Sequence, residues 1–124
     1  MDEYIIIGTI DTLKLTLLCD DITTDEVIIT YKQIEHIETQ HKGLYSQYKN
    51  KLLEIITSPD YILDDPKQAE TGLIIKKYDK NIVLVLRINT CDDDRKNSII
   101  TMWEIKDKRL ESYLKTHKTI YKKE

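Results

Sequence analysis

Residues 72–89 read GLIIKKYDKNIVLVLRIN. Two apolar, β-branched runs, Gly72 to Tyr78 and Ile82 to Asn89, flank the polar Asp79-Lys80-Asn81. Runs of this kind suit a pleated strand, and a short polar connection containing Asn suits a tight hairpin turn. In the second run Ile82, Leu84, Leu86 and Ile88 fall on one face. Val83, Val85, Arg87 and Asn89 fall on the other, the period of two that a strand imposes.

On the C-terminal side, Thr90 to Asn97 is charged and reads as a loop. Ser98 to Ile105 is a further strand with Ile99, Thr101, Trp103 and Ile105 on one face. Asp107 is placed to cap a final helix whose Leu110, Tyr113, Leu114 and His117 recur at i, i+3, i+4 and i+7. On the N-terminal side, Tyr61 to Leu63 is short and extended, and Asp64 to Thr71 is loop. A helix is expected from about Leu44 to Thr57, with Tyr45, Tyr48, Leu52, Ile55 and Ile56 along one face and Ser58-Pro59 as its stop. Before it, Thr30 followed by Gln33 is a capping-box signature for a helix carrying Ile34 and Ile37, and Gly43 ends that helix. The first residues read as β: Tyr4 to Ile10, a turn at Asp11-Thr12, an alternating run through Leu13, Leu15 and Leu17, an acidic loop from Cys19 to Glu26, and Val27 to Ile29. Helices and strands are segregated, which predicts an α+β domain with a mainly antiparallel sheet and a C-terminal helix.

The chain has 124 residues, a length that suits one domain (1–124) able to bury a core unaided. It is 40% hydrophobic and 33% charged, which argues against low-complexity and disordered classes. The net charge of −3 does not suit a protein that grips nucleic acid by overall charge. The charge is uneven, however. Lys106, Lys108, Arg109, Lys115, Lys118, Lys122 and Lys123 crowd the C-terminal segment, against only Asp107 and Glu111. Asp20-Asp21, Asp64-Asp65 and Asp92-Asp93-Asp94 hold much of the acid. Asp92 to Asp94 lack the ligand spacing of a calcium loop and read as a solvated loop tip. Cys19 and Cys91 form no metal motif and suit a reduced, cytosolic compartment. No stretch has the length of a membrane span, and no signal-peptide pattern opens the chain.

Histidine is the side chain whose ordinary pKa lies nearest neutrality, so His36 and His41 are candidates for proton transfer. Five residues apart on a helix, they point roughly 140° apart, which does not make a shared metal site. No metal ligand set and no cofactor motif is expected. The plain alternative is one half-buried histidine near a helix C-terminus, favoured there by the dipole, and one in solvent.

Taken in order, His36-Ile37-x3-His41, a Tyr-bearing helix, Ser58-Pro59-Asp60-Tyr61-Ile62, a β-hairpin and Ile99-Ile100-Thr101-Met102 resemble the phage-associated barnase/EndoU/colicin/RelE-like nucleases. The resemblance spans about Val27 to Leu114. It implies a helical lead-in packed on a four-stranded or larger antiparallel sheet, with residues 27–118 as a nuclease-like core behind a β-rich extension, residues 1–26. It further implies metal-independent RNA cleavage, with His36 and His41 as the acid–base pair and Thr101 as a hydroxyl facing the same cleft. The family often carries Arg before the second histidine, where this chain has Gln40. Arg87, from its strand position, and the basic residues Lys106 and Arg109 are our own candidates for binding the substrate phosphate. RNA and an inhibitor or other protein are the partners this reading admits. A catalytically silent protein-binding or regulatory module of the same fold is the alternative.

Overall fold

The computed structural model describes residues 3–90 and 95–124, so Cys91 and the Asp92–Asp94 run lie outside the described residues. One sheet of seven strands organises them: β1 (Tyr4–Thr9), β2 (Glu26–Thr30), β3 (Tyr61–Asp64), β4 (Thr71–Lys77), β5 (Asn81–Arg87), β6 (Asn97–Ile105) and β7 (Thr119–Lys122). Their spatial order is β1-β2-β6-β5-β4-β3-β7. Helices α1 (Tyr31–Gln40), α2 (Leu44–Tyr48) and α3 (Leu52–Thr57) precede β3, and α4 (Asp107–Thr116) joins β6 to β7.

The quoted hairpin is the centre of the sheet. Thr71 pairs with Arg87 and Lys77 with Asn81, an unbroken antiparallel register. Its alternation separates two cores. Ile82, Leu84, Leu86 and Ile88 join Ile37, Leu52, Ile55, Ile56, Ile99 and Met102 on the side covered by α1 to α3. Val83 and Val85 join Leu63, Leu73, Ile75 and Ile105 on the opposite side, beneath Leu110, Tyr113 and Leu114 of α4. Fully burying one such side chain stabilises the fold by about 1.5–3 kcal/mol, so both faces of β5 contribute.

Three features correct the sequence expectation. First, the sheet is larger and mixed. The sequence predicts a mainly antiparallel sheet of four or more strands behind a helical lead-in; instead seven strands form it, β1 and β2 precede the helices and belong to it, and β2 runs parallel to β6. That parallel contact is short, pairing Val27 with Asn97 and Ile28 with Ser98. The buried Asn97 secures it by donating to the Thr24 carbonyl at 2.7 Å and accepting from the Asn89 amide at 2.9 Å. Second, Thr12–Leu15 is a 3-10 turn and not a strand. Asp11 caps it by accepting from the Leu13 amide at 3.0 Å. Leu15 is fully buried while Leu13 and Leu17 stay 78% and 61% exposed, so the leucines share no face. Third, the chain after α4 returns as β7, an edge strand against β3.

The expected Leu44–Thr57 helix is interrupted by a 3-10 turn at Lys49–Lys51. Its anticipated apolar positions Tyr48, Leu52, Ile55 and Ile56 are nevertheless buried. Asp107 is the first residue of α4, and its cap is Lys106, which makes no side-chain capping bond.

Candidate nucleic-acid interface

The side of the sheet under α4 carries a basic, aromatic groove. Trp103 and Ile105 project from β6 onto this side, as the alternation from Met102 on the opposite side requires. Helix α4 starts directly after β6, so its first turn brings Lys106, Lys108 and Arg109 over those side chains. Ser112 and Tyr113 complete an open depression of about 770 Å³.

Its position is fixed at both ends of α4. Asp107 accepts from Asn81 Nδ2 at 2.9 Å and from Lys77 Nζ at 3.1 Å. The buried Asn81 also donates to the Ile105 carbonyl at 3.3 Å, leaving its own Oδ1 without a partner among the described residues. Those donors, Asn81 first and then Lys77, hold the Asp107 carboxyl below its ordinary range. After the helix, Asp64 accepts from the Lys118 amide at 2.8 Å, and the Asp64 amide donates to the Lys118 carbonyl at 2.9 Å.

These contacts also shape the local charge. Glu104 borders the groove, but its side chain alternates to the helical side, opposite Ile82, and faces Lys80 at 3.3 Å, while Asp107 faces Lys77. Lys106, Lys108 and Arg109 have no ion-pair partner among the described residues. An anion entering the groove therefore meets three cations outside any ion pair, while Glu104 and Asp107 are already engaged. Glu111 on α4 is the one nearby acid without an ion-pair partner among the described residues.

Aromatic surface lies in the same place. The Arg109 guanidinium carbon sits 5.7 Å from the Tyr113 ring centroid, a cation–π arrangement. One turn further on, the His117 ring centroid is 5.0 Å from that of Tyr113. Together with Trp103, these planar groups suit stacking against bases.

Of the sequence-predicted residues, Lys106 and Arg109 meet in this groove. Thr101 is half-buried on the same side of the sheet, since it stands directly opposite Val85. Arg87 also shares that side and is exposed at the end of β5, opposite Ser98. His36 and His41 lie elsewhere. Both are exposed, His36 within α1 and His41 at its C-terminal cap. Because α1 covers the Ile99 and Met102 side, the histidine pair and the Thr101 hydroxyl are on opposite faces of the sheet. Alternation with Trp103 and Ile105 puts Thr101 on the α4 side, and a β-bulge sets Ile99 apart from it. Val85 faces Thr101 but Leu86 faces Ile99, so Ile100 is inserted and Ile99 turns to the helical side. Ile99 and Thr101 therefore lie on different faces, which corrects the single face that uninterrupted alternation predicts for them.

Trp103, Lys108 and Tyr113 are groove residues that the motif order did not single out. Their signal was the basic C-terminal segment with aromatic residues interleaved. Among the described residues no cluster of three or more His, Cys, Asp or Glu side chains is arranged to hold a metal ion. No helix among them is long and apolar enough to cross a membrane.

A sheet with one side closed by helices, and a cationic, aromatic groove open on the other, has the features of a nucleic-acid-handling protein. The sequence assigns the class: residues 7–112 match the family described as phage-Barnase-EndoU-ColicinE5/D-RelE like nuclease3, and the chain belongs to that family. No curated protein and no solved structure was found to match it.

Proposed function

We propose that this chain is an endoribonuclease that seats single-stranded RNA in the α4 groove and cleaves it without a metal, by attack of the ribose 2′-hydroxyl on the adjacent phosphorus. The observation that carries this reading is the convergence of Lys106, Lys108 and Arg109 with Trp103 and Tyr113 in one open groove. Lys106 and Arg109 hold the phosphate and offset the charge that builds on its oxygens. Thr101 and Arg87, on the same side of the sheet, extend the donor surface along β5 and β6. DNA is a poor substrate because it lacks the attacking hydroxyl.

The test is a labelled single-stranded RNA incubated in EDTA. Wild type is expected to leave 2′,3′-cyclic phosphate ends and to spare DNA of the same sequence. The double variant Lys106→Ala/Arg109→Ala is expected to cut about a hundredfold more slowly, the usual scale for removing charge-stabilising donors. Intact RNA, or a double variant as fast as wild type, overturns the reading. His36→Ala and His41→Ala are expected to stay near the wild-type rate. A large loss in His41→Ala would instead return the proton chemistry to the helical side.

A catalytically silent binding module is the second reading. The separation of the histidine pair from Thr101 and the net charge of −3 favour it. Its signature is RNA bound or ignored, but never cut.

A further inference from the structure

The nuclease reading leaves open which group moves the proton, and the end of α4 supplies one. We infer that His117 is the general base, with RNA seated along the Arg109–Tyr113–His117 ladder. This rests on the proposed ribonuclease activity. His117 lies beyond the residues matched to the family, so the inference concerns this chain's own C-terminal segment.

The hydrogen bonds fix the tautomer. His117 Nδ1 lies 3.1 Å from the Tyr113 carbonyl oxygen, which can only accept. It also lies 2.9 Å from Thr116 Oγ1, whose single proton is donated to the Ser112 carbonyl at 3.0 Å. Nδ1 must therefore carry the ring proton. Nε2 of the neutral ring then keeps its lone pair, and it has no hydrogen-bond partner among the described residues. A histidine held by an Nδ1–H bond to a backbone carbonyl, with Nε2 bare, is in the form a general base needs.

The ladder supplies the seat. Arg109, Tyr113 and His117 succeed one another at i, i+4 and i+8, so they follow one stripe of α4 over about 12 Å. That length accommodates about three stacked nucleotides at roughly 3.4 Å each. Arg109 and Tyr113 line the groove, and His117 packs on Tyr113. A strand that stacks on Tyr113 and meets Arg109 with one phosphate thus runs toward His117. In the step itself, Nε2 takes the 2′-hydroxyl proton, the O2′–P bond forms and the P–O5′ bond breaks. The departing 5′-oxygen takes a proton from water. The imidazolium returns its own proton to the hydroxide so formed, which leaves the neutral ring and a 2′,3′-cyclic phosphate.

His117→Asn tests this directly, because the Asn amide retains a donor where Nδ1–H stood and removes Nε2. The variant is expected to lower kcat by about a hundred- to ten-thousandfold, with KM raised at most about tenfold by the lost ring. Tyr113→Leu is expected to raise KM about tenfold, through the lost stack. Trp103, the chain's only Trp, reports binding independently. Its fluorescence should change on titration with a 2′-O-methyl RNA that cannot be cut, for His117→Asn as for wild type, with the variant binding at most about tenfold more weakly for the ring it loses. A His117→Asn protein with wild-type kcat overturns the inference while the nuclease reading stands. Wild type that binds but cuts no RNA overturns both.

Discussion

Asp107 sets the position of the whole groove through two short bonds. Its carboxylate joins the first turn of α4 to Asn81 at the start of β5 and to Lys77 at the end of β4. Both donors favour the charged form, so its pKa lies below the ordinary 3.8. A group whose pKa is depressed by folding stabilises the fold above its unfolded value, and that stabilisation fades as pH falls through the folded value. Asp107→Ala is therefore expected to melt below wild type at neutral pH. The gap should begin to narrow at about pH 4, where the unfolded carboxyl protonates, and close only below the lower folded value. Thermal unfolding followed by circular dichroism between pH 7 and pH 2 measures it. A gap that persists unchanged at the acid end would show that the bonds are not what Asp107 contributes. The Asn81 partner was not foreseeable from sequence. It reads there as a turn residue, whereas in the fold it is a buried strand residue that orients α4.

Helix α1 shows where local chemistry determines an element. Thr30 Oγ1 accepts from the Gln33 amide at 3.1 Å, and Gln33 Oε1 accepts from the Thr30 amide at 3.0 Å. This is the reciprocal box that the two residue types predict. Gly43, with φ +81°, turns the chain after the helix as the sequence suggests. Glu38 then accepts from the Gly43 amide at 3.2 Å and the Ser46 amide at 3.0 Å, serving orphan donors at the start of α2. Removing the box by Thr30→Ala is expected to cost about 1 kcal/mol. Urea denaturation should show it as a lower midpoint with an unchanged slope; an unaltered midpoint would mean that packing through Ile37 alone holds α1. Elements governed by distant contacts were harder to read. The Leu13–Leu17 alternation imitates a strand, but Asp11 caps a tight turn and only Leu15 enters the core. The Ile100 bulge leaves no mark in composition, yet it decides which β6 residues accompany Thr101. Strand β7 has one buried residue, Ile120, and exists because the β3 edge is there to pair with it.

At the scale of the molecule, the central hairpin and its two faces could be read from alternation alone, because each face of β5 packs against its own core. The strand order could not. Nothing local announces that β2 pairs in parallel with β6 or that α4 crosses the sheet opposite α1. The candidate site suffered most from this. The family resemblance groups His36 and His41 with Thr101, the first and last motifs of the series, but the sheet separates them, whereas Lys106, Arg109, Tyr113 and Trp103 meet because β6 leads directly into α4. The same arrangement explains how a chain of net charge −3 can hold an anion. At physiological salt a charge is felt over only about 8 Å, so an RNA strand in the groove responds to Lys106, Lys108 and Arg109 and much less to distant acids. Three cations on a single strand release counterions with a slope of about −0.7 per contact, so log affinity should fall against log salt with a slope of about −2. Between 50 and 200 mM salt that is roughly a fifteenfold loss of affinity for a 2′-O-methyl RNA, readable from Trp103 fluorescence. Lys106→Ala/Arg109→Ala should flatten the slope to about −0.7, leaving Lys108 alone. An equal slope in both proteins would place the phosphate contacts outside the groove, and no salt dependence in wild type would mean that the aromatic surface binds bases without engaging the backbone.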